Sequence, residues 1–185
     1  MPMRIETERL LLRPFTNEDA ADLFEYLREP TVHCFECMKL STLDDAKKAI
    51  NERIVDPLYL AITLKENGKV IGEIFAHAEA TDPTNIAQDT YSPCWMLNSN
   101  YQGKGYMYEA AKAFFDFLFY EKQARRIYLY TEDDNFACQK LSEKLGMRQE
   151  GLFREFVTFV NAPDGTPIYE NTYQYAILKK EWENR

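Results

Sequence analysis

The residues between Asn98 and Ala110 have the types and spacing of an anion-binding turn. Gly103 and Gly105 precede an apolar repeat that has the spacing of one face of an α-helix. Glycine lets backbone N–H groups approach a ligand closely, and the first N–H groups of a helix lack internal partners and carry partial positive charge. The segment therefore predicts an anion site, most naturally for phosphate. The repeat consists of Met107, Ala110, Ala111, Phe114, Phe115, Leu118 and Phe119.

Carboxylates are the second group of residues that could do chemistry. In the apolar run 70–79, Glu73 and Glu79 alternate with the same period as Phe75 and His77, so these side chains share one face of a strand. Charge on such a face indicates either a site or a surface that faces solvent, and the alternation favours the solvent-facing interpretation.

Cysteines suggest metal chemistry only weakly. Cys34 and Cys37 form a C-x-x-C pair beside His33, which is half of a zinc site, but structural zinc takes four ligands. Cys94 and Cys138 are isolated from the pair and from each other. We therefore expect no metal site, and we interpret the pair as part of a half-buried connector.

Composition limits the class of protein. The chain has 185 residues, which predicts a single domain spanning 1–185, and its net charge of −8 argues against binding to nucleic acid. No run is long and apolar enough to span a membrane, and no N-terminal signal pattern is present, so we expect a cytoplasmic protein with reduced cysteines and no membrane partner.

The elements that position the glycine turn follow from periodicity and turn residues. An Asn-Gly pair at 67–68 predicts a hairpin, and Asn161 to Thr166 predicts another. The element order is β-α-α-β-β-β-α-β-α-β-β, which indicates an α/β fold with a mixed sheet. Strands are predicted at 4–13, 58–64, 70–79, 91–97, 126–131, 153–160 and 168–178, and helices from Thr16 to before Pro30, at 41–53, at 106–121 and from Asn135 to Gly146.

Three kinds of phosphate-binding loop have glycine-rich turns that can be compared with this segment. The P-loop pattern G-x-x-x-x-G-K-[ST] is absent, and Tyr108 occupies the position of the third glycine in a dinucleotide fingerprint. Gln102-Gly103-Lys104-Gly105-Tyr106-Met107 instead resembles the [Q/R]-x-x-G-x-[G/A] acetyl-CoA loop of the GNAT superfamily of N-acetyltransferases.

Other segments extend this resemblance along nearly the whole chain. Ile5 to Pro14 is similar to the opening of the ribosomal-protein N-terminal acetyltransferase branch. Asn135 to Cys138, with Glu143 to Met147, resembles the N-x-x-S…E-K-L-G-F segment of that branch. Tyr173 to Leu178, followed by Glu181-Trp182, resembles its closing strand. The motifs occur in the family's order.

The resemblance implies a GNAT-type fold, a mixed and mostly antiparallel sheet that splays at the acetyl-CoA site and is flanked by helices. It also implies that an amine attacks the thioester directly, that a backbone N–H of the splayed strand polarises the carbonyl, and that no metal takes part. The residues expected to contact the cofactor are Met96, Leu97, Asn98, Gln102, Gly103, Lys104, Gly105, Tyr106, Met107, Asn135 and Lys144.

Departures from the family pattern bear on the catalytic residues. Met107 stands where the loop has a small residue, and Cys138 replaces the serine that protonates the departing CoA thiolate in some relatives. An alternative interpretation of Cys138 is a small apolar residue on a buried helix face. Ser142 occupies the position of a tyrosine acid found in many members. Among the carboxylates near the expected cleft, which include Glu79 and Asp89, Glu73 is the favoured base.

The acceptor is expected to be a primary amine, either a protein N-terminus or a small molecule. Residues 30–55 and 153–175 are expected to line the acceptor side, and by resemblance a homodimer is a candidate assembly. The alternative function is a CoA-binding sensor or interaction module without catalysis.

Overall fold

The computed structural model of the protein describes residues 3–79 and 89–185. Eight strands and five α-helices follow one another along these residues: β1 Ile5–Glu6, β2 Leu10–Pro14, α1 Ala20–Leu27, α2 Leu43–Ile54, β3 Leu60–Leu64, β4 Val70–Glu79, β5 Thr90–Leu97, α3 Tyr106–Asp116, β6 Arg126–Glu132, α4 Phe136–Lys144, β7 Arg148–Asn161, β8 Pro167–Leu178 and α5 Lys179–Trp182.

All eight strands form one sheet in the order β1-β2-β3-β4-β5-β6-β8-β7. Every pairing is antiparallel except that of β5 with β6. The parallel pair joins only Thr90 to Arg126 and Tyr91 to Ile127, after which the two strands separate. The mixed, mostly antiparallel sheet with a central splay is confirmed.

Local signals explain where the first helices begin. Thr42 caps α2 by accepting a hydrogen bond from the N–H of Asp45, whose carboxylate in turn accepts one from the N–H of Thr42. Thr16 and Asp19 form a similar box, but it opens a single 3-10 turn before α1 begins at Ala20. The connector between α1 and α2 forms a 3-10 helix over His33–Met38.

The first predicted strand, 4–13, is divided into β1 and β2. Thr7 breaks it, because its N–H donates to the Leu10 carbonyl and its hydroxyl accepts from the Leu10 N–H. The two short strands then pair with each other, with Ile5 opposite Leu12. A turn this local cannot be read from an apolar run alone.

The sheet separates two apolar cores. One lies against α3 and α4, where the stripe from Ala110 to Phe119 is fully buried, as the repeat predicts. The other lies against α1 and α2 and includes Leu23, Leu27 and Ile50. Each core covers one face of β5 and β6, so helices and loops flank the gap between these strands on both faces of the sheet.

The C-terminal hairpin is longer than predicted. β7 runs from Arg148 to Asn161 because bulges, including one between Phe153 and Val157, let pairing with β8 continue. Glu155 in this bulge has a φ of 48°, and its N–H bonds to the side chain of Asn171. Of the helices in the described ranges, none is long and apolar enough to cross a membrane.

Candidate active site

A cavity of about 380 Å³ lies where β5 and β6 separate. The edge of β5 from Ser92 to Leu97 has no strand partner on the β6 side among the described residues, so its backbone groups face the cavity. The lining comes from both strands, from the glycine turn with the start of α3, from α4, and from the connector at Thr31 to Phe35.

The cavity passes through the sheet from one face to the other. Trp95 and Leu97 of β5 pack against the core of α3 and α4, whereas Cys94 and Met96 pack against the core of α1 and α2. All four residues line the same cavity. Because neighbouring residues of a strand point to opposite faces, the space must open on both.

The glycine turn forms one wall of the cavity. Gly103 and Gly105 adopt φ angles of 73° and 80°, which favour glycine, and α3 starts at Tyr106 without a side-chain cap. No described group accepts a hydrogen bond from the backbone N–H groups of residues 103–108. The turn therefore presents a row of free donors at a helix N-terminus, the arrangement that binds phosphate.

Arg9 braces this turn from the first hairpin. Its Nη1 donates to the Lys104 carbonyl at 3.0 Å, its Nε donates to Glu109 at 2.7 Å, and its guanidinium lies 4.4 Å from the ring centre of Tyr106. Thr7 also donates to Glu109, at 2.6 Å. Burial opposes ionisation of Glu109, but the bonds from Thr7 and Arg9 lower its pKa.

Most of the predicted cofactor residues meet in the cavity wall. They are Met96, Leu97, Gln102, Gly103, Gly105, Tyr106, Met107 and Asn135. Asn135 also caps α4, because its Oδ1 accepts from the Cys138 N–H at 3.2 Å. Met107 is half-buried and touches both the α3 core and the cavity, so its side chain serves core packing and the cavity wall together.

Three predicted cofactor residues lie outside that lining. Asn98 is buried in the turn after β5, where it donates to Glu25 at 2.9 Å and accepts from the Asn100 N–H. Lys104 donates to the Asn100 carbonyl. Lys144 has its Nζ 4.2 Å from the ring centre of Tyr108, a residue of the wall, so it stands at the cavity rim.

The predicted acids, Cys138 and Ser142, are neighbours on α4. Cys138 lines the cavity, and burial raises the pKa of its thiol to about 11. Ser142 is fully buried behind it and donates to the Cys138 carbonyl at 2.9 Å. Burial likewise raises the pKa of Cys94 to about 12. The thiols of Cys94 and Cys138 are therefore protonated at neutral pH, and neither is a ready thiolate nucleophile.

Glu73 occupies a closed ionic network rather than a solvent face, and the solvent-facing interpretation of this strand position is wrong. Glu73 is fully buried and accepts from Arg53 at 2.9 and 3.1 Å, from Tyr26 at 3.0 Å and from Tyr59 at 2.9 Å. Burial opposes the charge of Arg53, but attraction to Glu73 raises its pKa. These donors occupy both oxygens, which favours a structural role over that of base.

The other carboxylates considered near the cleft lie at its margins. Asp89 pairs with Arg125 at 3.0 Å, and Glu79 is exposed at the end of β4. Glu132 is not among the site residues predicted from the sequence, but it lies in the cavity wall. The available signal was alternation, because Glu132 follows Tyr128 and Tyr130 with a period of two once β6 is extended by one residue.

The C-x-x-C segment brings only one of its cysteines to the cavity. Cys34 lines it, whereas Cys37 is exposed and His33 contacts Glu170 of β8 at 2.6 Å. Within residues 3–79 and 89–185, no three His, Cys, Asp or Glu side chains are grouped so that they could hold a metal ion. Of the segments expected on the acceptor side, 30–55 contributes to the lining and 153–175 does not.

Comparisons with known proteins agree with this geometry. The model of the acetyltransferase (GNAT) domain family matches residues 9–148. The chain is 32% identical over 181 residues to the uncharacterised N-acetyltransferase YnaD of Bacillus subtilis (strain 168), covering 97% of this chain and 99% of YnaD.

Solved structures share the fold. An acetyltransferase (GNAT family) from Bacillus anthracis has a TM-score of 0.82 and 28% identity, covering 96% of this chain and 99% of that one. The ribosomal-protein-S5-alanine acetyltransferase of Vibrio fischeri has a TM-score of 0.73 and 20% identity, covering 97% of this chain and 98% of that one.

Proposed function

The chain belongs to the GNAT family of N-acetyltransferases, and we propose that it transfers the acetyl group of acetyl-CoA to a primary amine through a ternary complex. The observation that carries the proposal is the free row of N–H groups at residues 103–108 beside a cavity that opens on both faces of the sheet. One face can admit the cofactor while the other admits the amine.

The proposed cofactor site follows the wall from the turn to α4. The N–H groups of residues 103–108 hold the pyrophosphate, with Lys144 at the rim as a nearby cation. The pantetheine arm lies along the unpaired edge of β5 and pairs with its backbone as an added strand. This arm places the thioester between β5 and β6, close to Asn135 and Cys138.

The proposed chemistry is direct acyl transfer. The ammonium loses one proton, and the neutral nitrogen attacks the thioester carbonyl to form the C–N bond. The C–S bond then breaks and the departing thiolate takes up a proton, while the second proton lost by the nitrogen restores the proton donor, so one proton is released in total. Positioning and a backbone donor from β5 supply the catalysis. Cys138 is the proposed proton source, since its thiol is protonated and lies in the wall.

Two sources of amine remain candidates for the acceptor. The resemblance to ribosomal-protein N-terminal acetyltransferases supports a protein N-terminus. The cavity volume of about 380 Å³ supports a small-molecule amine. Both present the same reacting group.

The decisive experiment measures thiol release from acetyl-CoA with a panel of peptides and small amines. We expect release that depends on the amine. Tight CoA binding without amine-dependent release on any member of the panel would overturn the enzyme proposal and favour a non-catalytic CoA-binding module.

A matched pair of glycine variants tests the cofactor site. Gly103 and Gly165 both have a left-handed φ with open space around the position of a Cβ, but Gly165 lies in the β7–β8 turn. Left-handed backbone costs a non-glycine residue about 1–2 kcal/mol. We expect Gly103→Ala to weaken CoA binding by roughly 5- to 30-fold and Gly165→Ala to leave it unchanged. If the two variants bind CoA with equal affinity, the glycine turn is not part of the CoA-binding site.

A further inference from the structure

Glu132 is the last residue of β6 and lies in the cavity wall with 7% of its surface exposed. By alternation its side chain shares a face with Tyr128 and Tyr130, opposite Ile127 and Leu129, which belong to the core of α3 and α4. Glu132 therefore stands on the side of the sheet away from the glycine turn, where the connector at Thr31 to Phe35 covers the cavity.

The carboxylate has no charged partner among the described residues. No described Lys, Arg or His pairs with it. Its neighbours are the thiols of Cys34, Cys94 and Cys138. Burial is the main cause that raises the pKa of each thiol, and the charge of Glu132 adds a smaller increase. A protonated thiol is a weak donor without charge, so these groups do not compensate a carboxylate.

Glu73 shows how the charge of a buried carboxylate is compensated in the same protein. Its oxygens receive four hydrogen bonds, two of them from a guanidinium. The carboxylate of Glu132 receives none from a described N–H or O–H group and has only the Cys34 thiol as a hydrogen-bonding neighbour, although it is nearly as buried. A buried charge without a partner is costly, so a site of this kind is completed by a cation that arrives with a ligand.

The surrounding wall fits an apolar group attached to that cation. Val32, Phe35 and Tyr130 line the cavity, the first two from the connector and the third from the face of β6 that carries Glu132. The ring of Tyr130 continues outward to Phe153 and Phe156, with ring centres at 6.0 and 5.7 Å. An aromatic rim beside a single carboxylate suits a primary ammonium on an apolar or aromatic body better than a polycation or a sugar.

We propose that Glu132 binds the ammonium group of an acceptor with an apolar or aromatic body and takes up its proton. The inference rests on the proposed acetyl transfer and identifies the acceptor's side of that site. One N–H bond of the ammonium breaks and the proton passes to a Glu132 oxygen, which leaves a neutral amine for attack. The proton on Glu132 then returns to solvent, so one proton is released per acetyl group transferred.

Binding to the CoA complex tests the inference separately from turnover. Phenethylamine is titrated by calorimetry into the protein saturated with CoA, with 2-phenylethanol as the neutral analogue of the same shape. The variants are Glu132→Gln and Asp134→Asn, which removes the same charge from an exposed residue two positions away. CoA affinity, measured on each variant, reports that the fold and the opposite side of the cavity are intact.

We expect phenethylamine to bind the wild type and Asp134→Asn alike, and Glu132→Gln at least about tenfold more weakly. At saturating amine we also expect a lower kcat for Glu132→Gln. Equal amine binding by wild type and Glu132→Gln overturns the ammonium site, and an unchanged kcat overturns proton uptake. If Glu132→Gln does not fold, equal binding of amine and alcohol to the wild type overturns the site.

The arms of the amine panel separate the sources of the acceptor. Acetylation of peptides with an apolar first residue, but not of phenethylamine, assigns the ammonium to a protein N-terminus. Preference for putrescine or an amino sugar over both overturns the apolar class while leaving acetyl transfer standing. Absence of amine-dependent thiol release with normal phenethylamine binding would remove the proposed function and keep the ammonium site.

Discussion

At the scale of single residues, the two buried carboxylates differ in what surrounds them. Glu73 is held by Arg53, Tyr26 and Tyr59, whereas Glu132 faces a cavity and neutral thiols. Position in a strand does not distinguish these cases, because both glutamates alternate with apolar and aromatic neighbours. The partners come from α1, from α2 and from the residue before β3, which only the folded chain brings together.

The Glu73 network should contribute to stability and not to the chemical step. Glu73→Gln leaves Arg53 buried beside a neutral amide, and breaking a buried pair of this kind costs about 3–5 kcal/mol. Urea unfolding should show this loss, with a much smaller change for Asp89→Asn, which breaks a more exposed pair. Under conditions where Glu73→Gln is folded, kcat should match the wild type; a large loss of kcat there would reinstate Glu73 as the base.

At the scale of elements, the first hairpin supports the glycine turn. Arg9 lies in the turn between β1 and β2, and its side chain contacts Lys104, Tyr106 and Glu109. The opening segment and the turn resemble motifs of the same family, but the resemblance implies no contact between them. The contact requires the fold, since it joins residues about one hundred positions apart.

Removing the brace should loosen the turn without unfolding the protein. Arg9→Ala loses the bonds to Lys104 and Glu109 and the contact with the Tyr106 ring, so we expect CoA binding weaker by roughly 5- to 30-fold. Arg9→Lys keeps the charge but not the forked geometry of the guanidinium, so its CoA affinity should lie between those of the wild type and Arg9→Ala.

The control for this measurement is Arg154→Ala, which removes an exposed arginine on β7. CoA affinity, measured by calorimetry, should be unchanged in that variant. If Arg9→Ala binds CoA as tightly as Arg154→Ala does, the turn holds its shape without the brace.

Strand and helix boundaries were predictable where a local signal exists. The start of the second helix near residues 41–42, the hairpin at Asn67-Gly68 and the buried stripe that begins in α3 are confirmed. The splay of β5 from β6 came from family resemblance, because it depends on where two distant strands cease to pair. The division of the first strand and the length of β7 were missed, because the first depends on one local turn and the second on several bulges.

At the scale of the whole molecule, the connector over the cavity is tied to the C-terminal hairpin. His33 of the 3-10 helix contacts Glu170 of β8 at 2.6 Å, and this hydrogen bond raises the pKa of His33. The second oxygen of Glu170 is buried without a hydrogen-bond partner among the described residues. The connection joins the cover of the acceptor side to a hairpin that contributes no side chain to the cavity lining.

This connection should make stability depend on pH. A raised pKa in the folded protein means that the contact stabilises fully below about pH 6.5, the ordinary histidine value, and that the stabilisation is lost as pH rises through the folded pKa. Because half of the His33 side chain is exposed, the contribution should stay below about 1 kcal/mol.

Thermal melting across pH provides the measurement. The melting temperature of the wild type should exceed that of His33→Gln by a few degrees at most near pH 5.5, and the difference should shrink toward pH 8.5. Glu170→Gln should remove the pH dependence of this difference. A gap between wild type and His33→Gln that is constant or grows with pH would contradict the assignment.

The passage through the sheet has a consequence for how the products leave. Under the proposed chemistry, CoA leaves past the glycine turn, and the acetylated amine leaves beneath the connector on the other face of the sheet. Each product therefore leaves through its own opening of the cavity. The two exits can therefore be tuned independently, and a change in acceptor preference at one mouth need not slow the exchange of cofactor at the other.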